Sequence, residues 1–205
     1  FTHLLRETFG RTDNTQGFVY LSDGGHFENL GLYEMIRRRC RYIVVSDAGQ
    51  DEKCTLEDLG AVVRKVKIDM GVIIDFDKLQ LAKEAEPPLP GFYCAIGAIK
   101  YPDPGAQPSL LLYIKPGLHG NLPADIRAYA ASNARFPHDS TLNQWFSESQ
   151  FESYRALGSF IIDEISRPPK QPPAPSPLAP SPSGAAPAKP HPITDLFSGA
   201  ANYLA

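Results

Sequence analysis

The sequence predicts an α/β fold: a mostly parallel central sheet flanked by helices, with an added antiparallel hairpin and C-terminal helices. Three observations lead there. Apolar β-type runs alternate with helical periodicity over residues 18–76, the order that builds parallel sheets. Two further β-type runs flank Pro102-Asp103-Pro104-Gly105, a long hairpin turn. A helical pattern then occupies residues 142–165.

The first strand is predicted at residues 18–22, within Gly17-Phe18-Val19-Tyr20-Leu21-Ser22. Leu32, Met35, Ile36 and Cys40 follow at spacings of three, four and eight from the first, one face of a helix. Arg37, Arg38, Arg39 and Arg41 gather near its C-terminal end. Positive charge there complements the helix dipole, and a solvated helix end is favoured over an anionic-membrane contact. Tyr42-Ile43-Val44-Val45-Ser46-Asp47 is apolar on both faces, as expected of a buried parallel strand. Thr55-Leu56-Glu57-Asp58 has the form of a capping box with Asp at its last position. Leu59, Val62, Val63 and Val66 continue at helical spacing, and Val72-Ile73-Ile74-Asp75-Phe76 is a third strand.

Residues 83–91 read as a charged, proline-rich loop. Residues 93–101 and 110–115 form the expected hairpin, and Pro123 opens a short helix at its first position. The helix over 142–165 is expected to start from Ser140 or Thr141 and to bury Trp145, Phe146, Leu157, Phe160 and Ile161. The domain so defined covers residues 1–166. Residues 167–192 hold more than half of the 20 prolines, with Ala and Ser between them. Such a segment lacks the apolar surface to fold and is expected to be an extended linker. A PxxP contact with an SH3-like partner is the less favoured use of it. Residues 193–205 place Ile193, Leu196, Phe197 and Leu204 on one face of a short amphipathic helix, either a docking or membrane-surface element or a frayed end.

Composition narrows the function classes. The 205 residues suffice for one sizeable domain. Hydrophobic residues at 42% and charged residues at 21% fit an ordinary globular protein. A net charge of −3 provides no electrostatic footprint for nucleic acid. Cys40, Cys54 and Cys94 show neither a disulfide framework nor metal-ligand spacing; buried thiols are expected, with no metal and no cofactor. No apolar run reaches the roughly 20 residues that span a bilayer. The expected location is cytoplasmic or membrane-associated, and spans upstream of Phe1 stay open.

The block that can carry chemistry is Leu21-Ser22-Asp23-Gly24-Gly25-His26-Phe27-Glu28-Asn29-Leu30. It delivers an aspartate from a strand end to a double glycine, and in open α/β folds strand ends are where ligands bind. A helical period follows it, which disfavours a hairpin. The glycines then serve either positive φ or close approach to the backbone. Asp23 is either a cap of the turn or a functional carboxylate, and the bare motif leaves both readings open. Burial is expected to matter if it acts as a base.

This block resembles the D-G-G-x-x-x-N block of patatin-like phospholipases. Further likenesses to a bacterial branch of that family lie in Tyr33-Glu34-Met35, Val44-Val45-Ser46-Asp47-Ala48-Gly49, Phe136-Pro137-His138 and Gln150-Phe151-Glu152-Ser153-Tyr154-Arg155. Together they span roughly residues 1 to 165. The resemblance implies the C-terminal part of a patatin-like α/β domain acting on a lipid or membrane-surface substrate. It also implies a Ser-Asp dyad in which Asp23 takes the proton of a serine directly. Gly24 and Gly25 would support the motif, and Asn29 would hold the turn by hydrogen bonds. No G-x-S-x-G occurs in the chain, so the 205 residues alone are expected to be inactive. A non-catalytic lipid-binding or interaction module is the alternative. Asp47, with Asp51 and Glu52 close by, is a rival acidic site for which a solvated loop is favoured. His26 and His138 are read as turn residues.

Overall fold

A computed structural model describes residues 2–13, 15, 17, 23–79, 81, 91–167 and 192–205. The strand expected at 18–22, nearly all of the loop at 83–91 and the proline-rich stretch at 168–191 lie outside the described residues. The elements are α1 (Thr2–Thr8), a 3-10 turn η1 (Gly24–His26), α2 (Leu32–Arg37), β1 (Tyr42–Ser46), α3 (Glu57–Met70) and β2 (Ile73–Phe76). They continue with β3 (Cys94–Lys100), β4 (Ser109–Ile114), α4 (Ala124–Ser132), α5 (Glu148–Ile165) and α6 (Pro192–Leu204).

The fold is α/β, with a four-stranded sheet among the described residues in the order β1-β4-β3-β2. The sheet is mixed, not mostly parallel. β1 and β4 pair in parallel, Tyr42 opposite Leu110, while β3 is antiparallel to both β4 and β2. The β1–α3–β2 alternation therefore does set strand direction, since β1, β4 and β2 run the same way. It does not set neighbours, because the β3–β4 hairpin is inserted between β1 and β2.

Helices cover both faces. Alternate residues of β4 serve opposite layers, as the pleat requires. Leu112 and Ile114 join Ile126, Leu157, Ile161 and Phe197. Leu111 and Tyr113 join Ile36, Ile43, Val62 and Val66 beneath α2 and α3. The expected face of α3 is buried at Leu59, Val62 and Val66. The capping box is not formed. Leu56 takes a left-handed conformation (φ 55°) as the cap residue, and Asp51 instead accepts the N–H groups of Thr55 (2.8 Å) and Leu56 (2.9 Å).

Four further expectations change. β1 is not buried on both faces: Val44 is 43% exposed, because it lines an open cavity between the sheet and α5. The last long helix begins at Glu148, capped by Ser147, whose hydroxyl accepts the Gln150 N–H at 3.2 Å. Trp145 and Phe146 consequently stand outside it and are exposed, while Leu157 and Ile161 are buried. Cys94 alone of the three thiols is buried, and burial pushes it up to about 12. The amphipathic face of α6 is covered by protein, with Phe197, Ala200 and Leu204 in the core beside α5 and β3. Gly199 permits that approach, since a Cβ there would lie 2.9 Å from the Ile165 carbonyl oxygen. The arginine run is a helix end: Arg37 and Arg38 bond Glu34, and Arg39 pairs with Asp103 and stacks over Tyr101. Among the described residues, no helix is long and apolar enough to cross a membrane.

Candidate functional site

Asp23 is the cap residue of η1. Its Oδ1 accepts the Gly25 N–H at 2.7 Å, and its carbonyl oxygen accepts the His26 N–H at 3.2 Å. The Gly24 carbonyl then receives the N–H groups of Phe27 and Glu28, both at 2.9 Å. Asp23 is exposed, so no apolar wall among the described residues encloses its carboxylate. His26 Nδ1 lies 3.3 Å from the Asp23 carbonyl oxygen. Ser22 is outside the described residues.

The double glycine has one steric requirement, not two. Neither glycine has positive φ. A Cβ on Gly24 would meet open space, but one on Gly25 would sit 2.8 Å from Asn29 Oδ1 and 3.2 Å from Asp23 Oδ1. Gly25 thus lets Asn29 fold back over the turn. Asn29 Nδ2 donates to Asp58 Oδ1 on the first turn of α3 at 3.0 Å. The asparagine therefore holds the turn through a contact 29 residues away. Further clips fasten the same segment to α3. Lys65 donates to the Phe27 carbonyl and lies 4.3 Å from the centre of the Phe27 ring. Phe27 meets Tyr33 edge-on, and the Tyr33 hydroxyl donates to Asp69 at 3.0 Å.

Asp47 occupies the end of β1 in a different setting. It is 3% exposed, which overturns the solvated-loop reading. Its Oδ2 accepts the Tyr113 hydroxyl and the Lys115 ammonium, the latter at 3.0 Å. Its Oδ1 accepts the Gly49 N–H at 2.9 Å. Lys115 is equally buried and has Asp51 at 3.8 Å as a second anion. Burial, then the bond to Asp47, raises the Tyr113 hydroxyl far above its ordinary value. Burial alone would raise Asp51, but bonds from the Thr55 and Leu56 N–H groups, the Thr55 hydroxyl and the charge of Lys115 outweigh it and hold that carboxyl low. Burial, then the same lysine, lowers the His138 imidazole. Tyr113 and Lys115 were not singled out from the sequence. The available signal was a lysine ending the apolar run of β4, whose parallel register brings it beside the end of β1.

The carboxyl ends of β1 and β4 separate two cavities. On one face Asp47, Gly49, Asp51, Asp58 and Lys115 line a polar space of about 80 Å³. On the other, Val44, Ser46, Ile114, Phe151, Leu157 and Ile161 help line an apolar cavity of about 680 Å³, within the range that holds small molecules. Asp58 belongs to both neighbourhoods: it accepts Asn29 Nδ2 from the Asp23 turn and lines the polar space with Asp47. Among the described residues no group of three or more His, Cys, Asp or Glu side chains is arranged to hold a metal ion.

Comparisons with models of known families, with curated proteins and with solved structures return no match for this chain.

Proposed function

We propose that this chain is the base-bearing portion of a patatin-like lipid acyl hydrolase. The observation that carries the reading is Asp23 itself, an exposed carboxylate oriented by one backbone N–H at the head of a glycine turn. Asp23 accepts the proton of a serine as that serine attacks the ester carbonyl. It holds the proton until the leaving alcohol needs it, so no histidine is required between them. A general base so placed contributes about 10² to 10⁴ in rate. The serine and the oxyanion amides come from G-x-S-x-G and glycine-rich segments that the 205 residues do not contain.

The test uses the full-length natural protein, wild type and Asp23→Asn, with a short-chain ester and a phospholipid as substrates. A loss of at least about 10²-fold in kcat is expected. Undiminished hydrolysis by the variant removes Asp23 from the mechanism. A wild type that hydrolyses neither substrate leaves the non-catalytic lipid-binding module as the better reading.

A further inference from the structure

The end of α2 accounts for three of the four arginines around it. Arg37 and Arg38 share Glu34, and Arg39 pairs with Asp103 of the β3–β4 turn. Arg41 is not accounted for. It is exposed, lies 6.0 Å from the centre of the Tyr42 ring, and has no carboxylate partner among the described residues. Arg39 and Arg41 face the hairpin turn across an open cleft of about 290 Å³, which Tyr101, Gln107, Pro108 and Ser109 help line. Among the described residues that line it, none is acidic. The polar space beside Asp47 is the reverse case, lined by four carboxylates and one lysine.

Two features leave this positive charge available to a ligand. The last carbonyls of α2 would oppose an anion, but they are occupied. Those of Glu34, Met35 and Ile36 accept the N–H groups of Arg38, Cys40 and Arg39 at 3.0, 3.1 and 2.9 Å. The Arg39–Asp103 pair is half-exposed on both sides, so it is weak, and a guanidinium has donors to spare for a second acceptor. The walls of the cleft are fixed. Arg39 lies 4.3 Å above the centre of the Tyr101 ring, and the Tyr101 and Ser109 hydroxyls are 3.1 Å apart. The Leu110 N–H donates to the Arg41 carbonyl at 2.8 Å and ties that backbone to β4. Two guanidinium forks suit the several oxygens of a phosphate, which also carries close to two charges near neutral pH. The cleft is close to the lower end of ligand pockets, about 300 Å³. It leaves space beside a phosphate for a small organic group against Tyr101 and Pro108.

We propose that this cleft binds the phosphate group of a small soluble phosphomonoester. Arg41 supplies the uncompensated charge and Arg39 the second fork, while Tyr101 and Pro108 form the wall for the organic part. The site lies at the end of β1 opposite Asp47 and does not depend on the hydrolase reading of Asp23.

The entire 205-residue chain, isotope-labelled for NMR, is titrated with phenyl phosphate and with inorganic phosphate at constant ionic strength. The arginine side-chain N–H signals and the amides of Ala106, Gln107 and Ser109 report on the cleft. Both probes should give saturable shifts there, phenyl phosphate at the lower concentration because only it reaches the Tyr101–Pro108 wall. Arg41→Ala should weaken phenyl phosphate at least about tenfold with an unchanged melting curve, since Arg41 is exposed. Arg39→Gly should also weaken it while keeping the turn, because Arg39 has a φ of 58°, which glycine adopts freely. Asp103→Asn should act in the opposite direction, tightening binding about two- to fivefold by releasing Arg39. Arg155→Ala, whose guanidinium is held by Glu152 on α5, should bind as the wild type does. Absence of saturable shifts overturns the inference, and so does an Arg41→Ala chain that binds as the wild type. Equal affinity for the two probes overturns the ester and leaves a site for free phosphate. Shifts caused by phosphatidic acid vesicles and by neither soluble probe overturn it in favour of a membrane contact. Asp23→Asn should leave the titration unchanged, so failure here and failure of the dyad are read separately.

Discussion

Asp23 and Asp47 both follow β-type runs, and both precede glycine-containing turns, yet the fold treats them oppositely. Asp23 is exposed and receives its hydrogen bond from Gly25, two residues on. Asp47 accepts an equally local bond from Gly49, but it is buried and its second oxygen receives Tyr113 and Lys115, 66 and 68 residues away. The first arrangement is local and leaves a carboxylate facing solvent, where a reacting group can reach it. The second satisfies a buried charge with a buried countercharge, which is an arrangement for holding β1 beside β4. A strand-end aspartate is thus no functional signal by itself; burial and a countercharge from a distant strand separate the two roles.

The largest expected effect tests the buried member. Lys115→Ala leaves Asp47 without its countercharge and should cost about 3–5 kcal/mol of stability in urea unfolding. Asp23→Ala removes only the cap of a short turn and should cost about 1 kcal/mol or less. Comparable costs at the two positions would erase the distinction.

Acidification offers a second test. His119 stacks on Tyr93 with ring centres 3.7 Å apart, and burial lowers it to about 4. Its unfolded value is about 6.5, so between those limits the unfolded chain binds the additional proton. Stability should therefore fall as pH drops from about 6.5 to about 4, and His119→Phe should flatten that decline. Asp51 is held low in the fold, so its contribution is present above its unfolded value of about 3.9 and disappears only as pH falls further. A decline confined to pH below about 4 would remove His119 from this role.

A stability effect as small as that of Asp23→Ala, about 1 kcal/mol, is expected at Asn29→Ala, because Asn29 is exposed and Asp58 only half-buried. In the full-length protein the same change should lower kcat with KM little altered, since it loosens the turn that orients Asp23. A double-mutant cycle with Asp58→Ala should show coupling; strict additivity would disconnect α3 from the turn.

Much of this was readable residue by residue. The helices of α2 and α3 follow from apolar spacing, and the β3–β4 hairpin follows from two β-type runs around a Pro-Gly turn. Gly25 and Asn29 were legible as parts of one motif, though not the 2.8 Å approach that makes Gly25 necessary. Other features had no local signal. Trp145 and Phe146 fit a helical period as well as Leu157 and Ile161 do, and only the Ser147 cap, once placed, puts them outside the helix. Val44 looks as buried as Val45 in the sequence, but Val44 lines the open apolar cavity while Val45 is packed beneath α2 and α3.

The sequence by itself determined the α/β class, the direction of β1 and β2, and the Asp-Gly-Gly turn, because each depends on periodicity or backbone freedom over a few neighbouring residues. Tertiary structure alone decided that a hairpin separates β1 from β2, that α6 completes the core, and that Lys115 neutralises Asp47. Those outcomes are pairings between residues tens of positions apart. Their free energy comes from burying surfaces and charges against partners that no local pattern identifies.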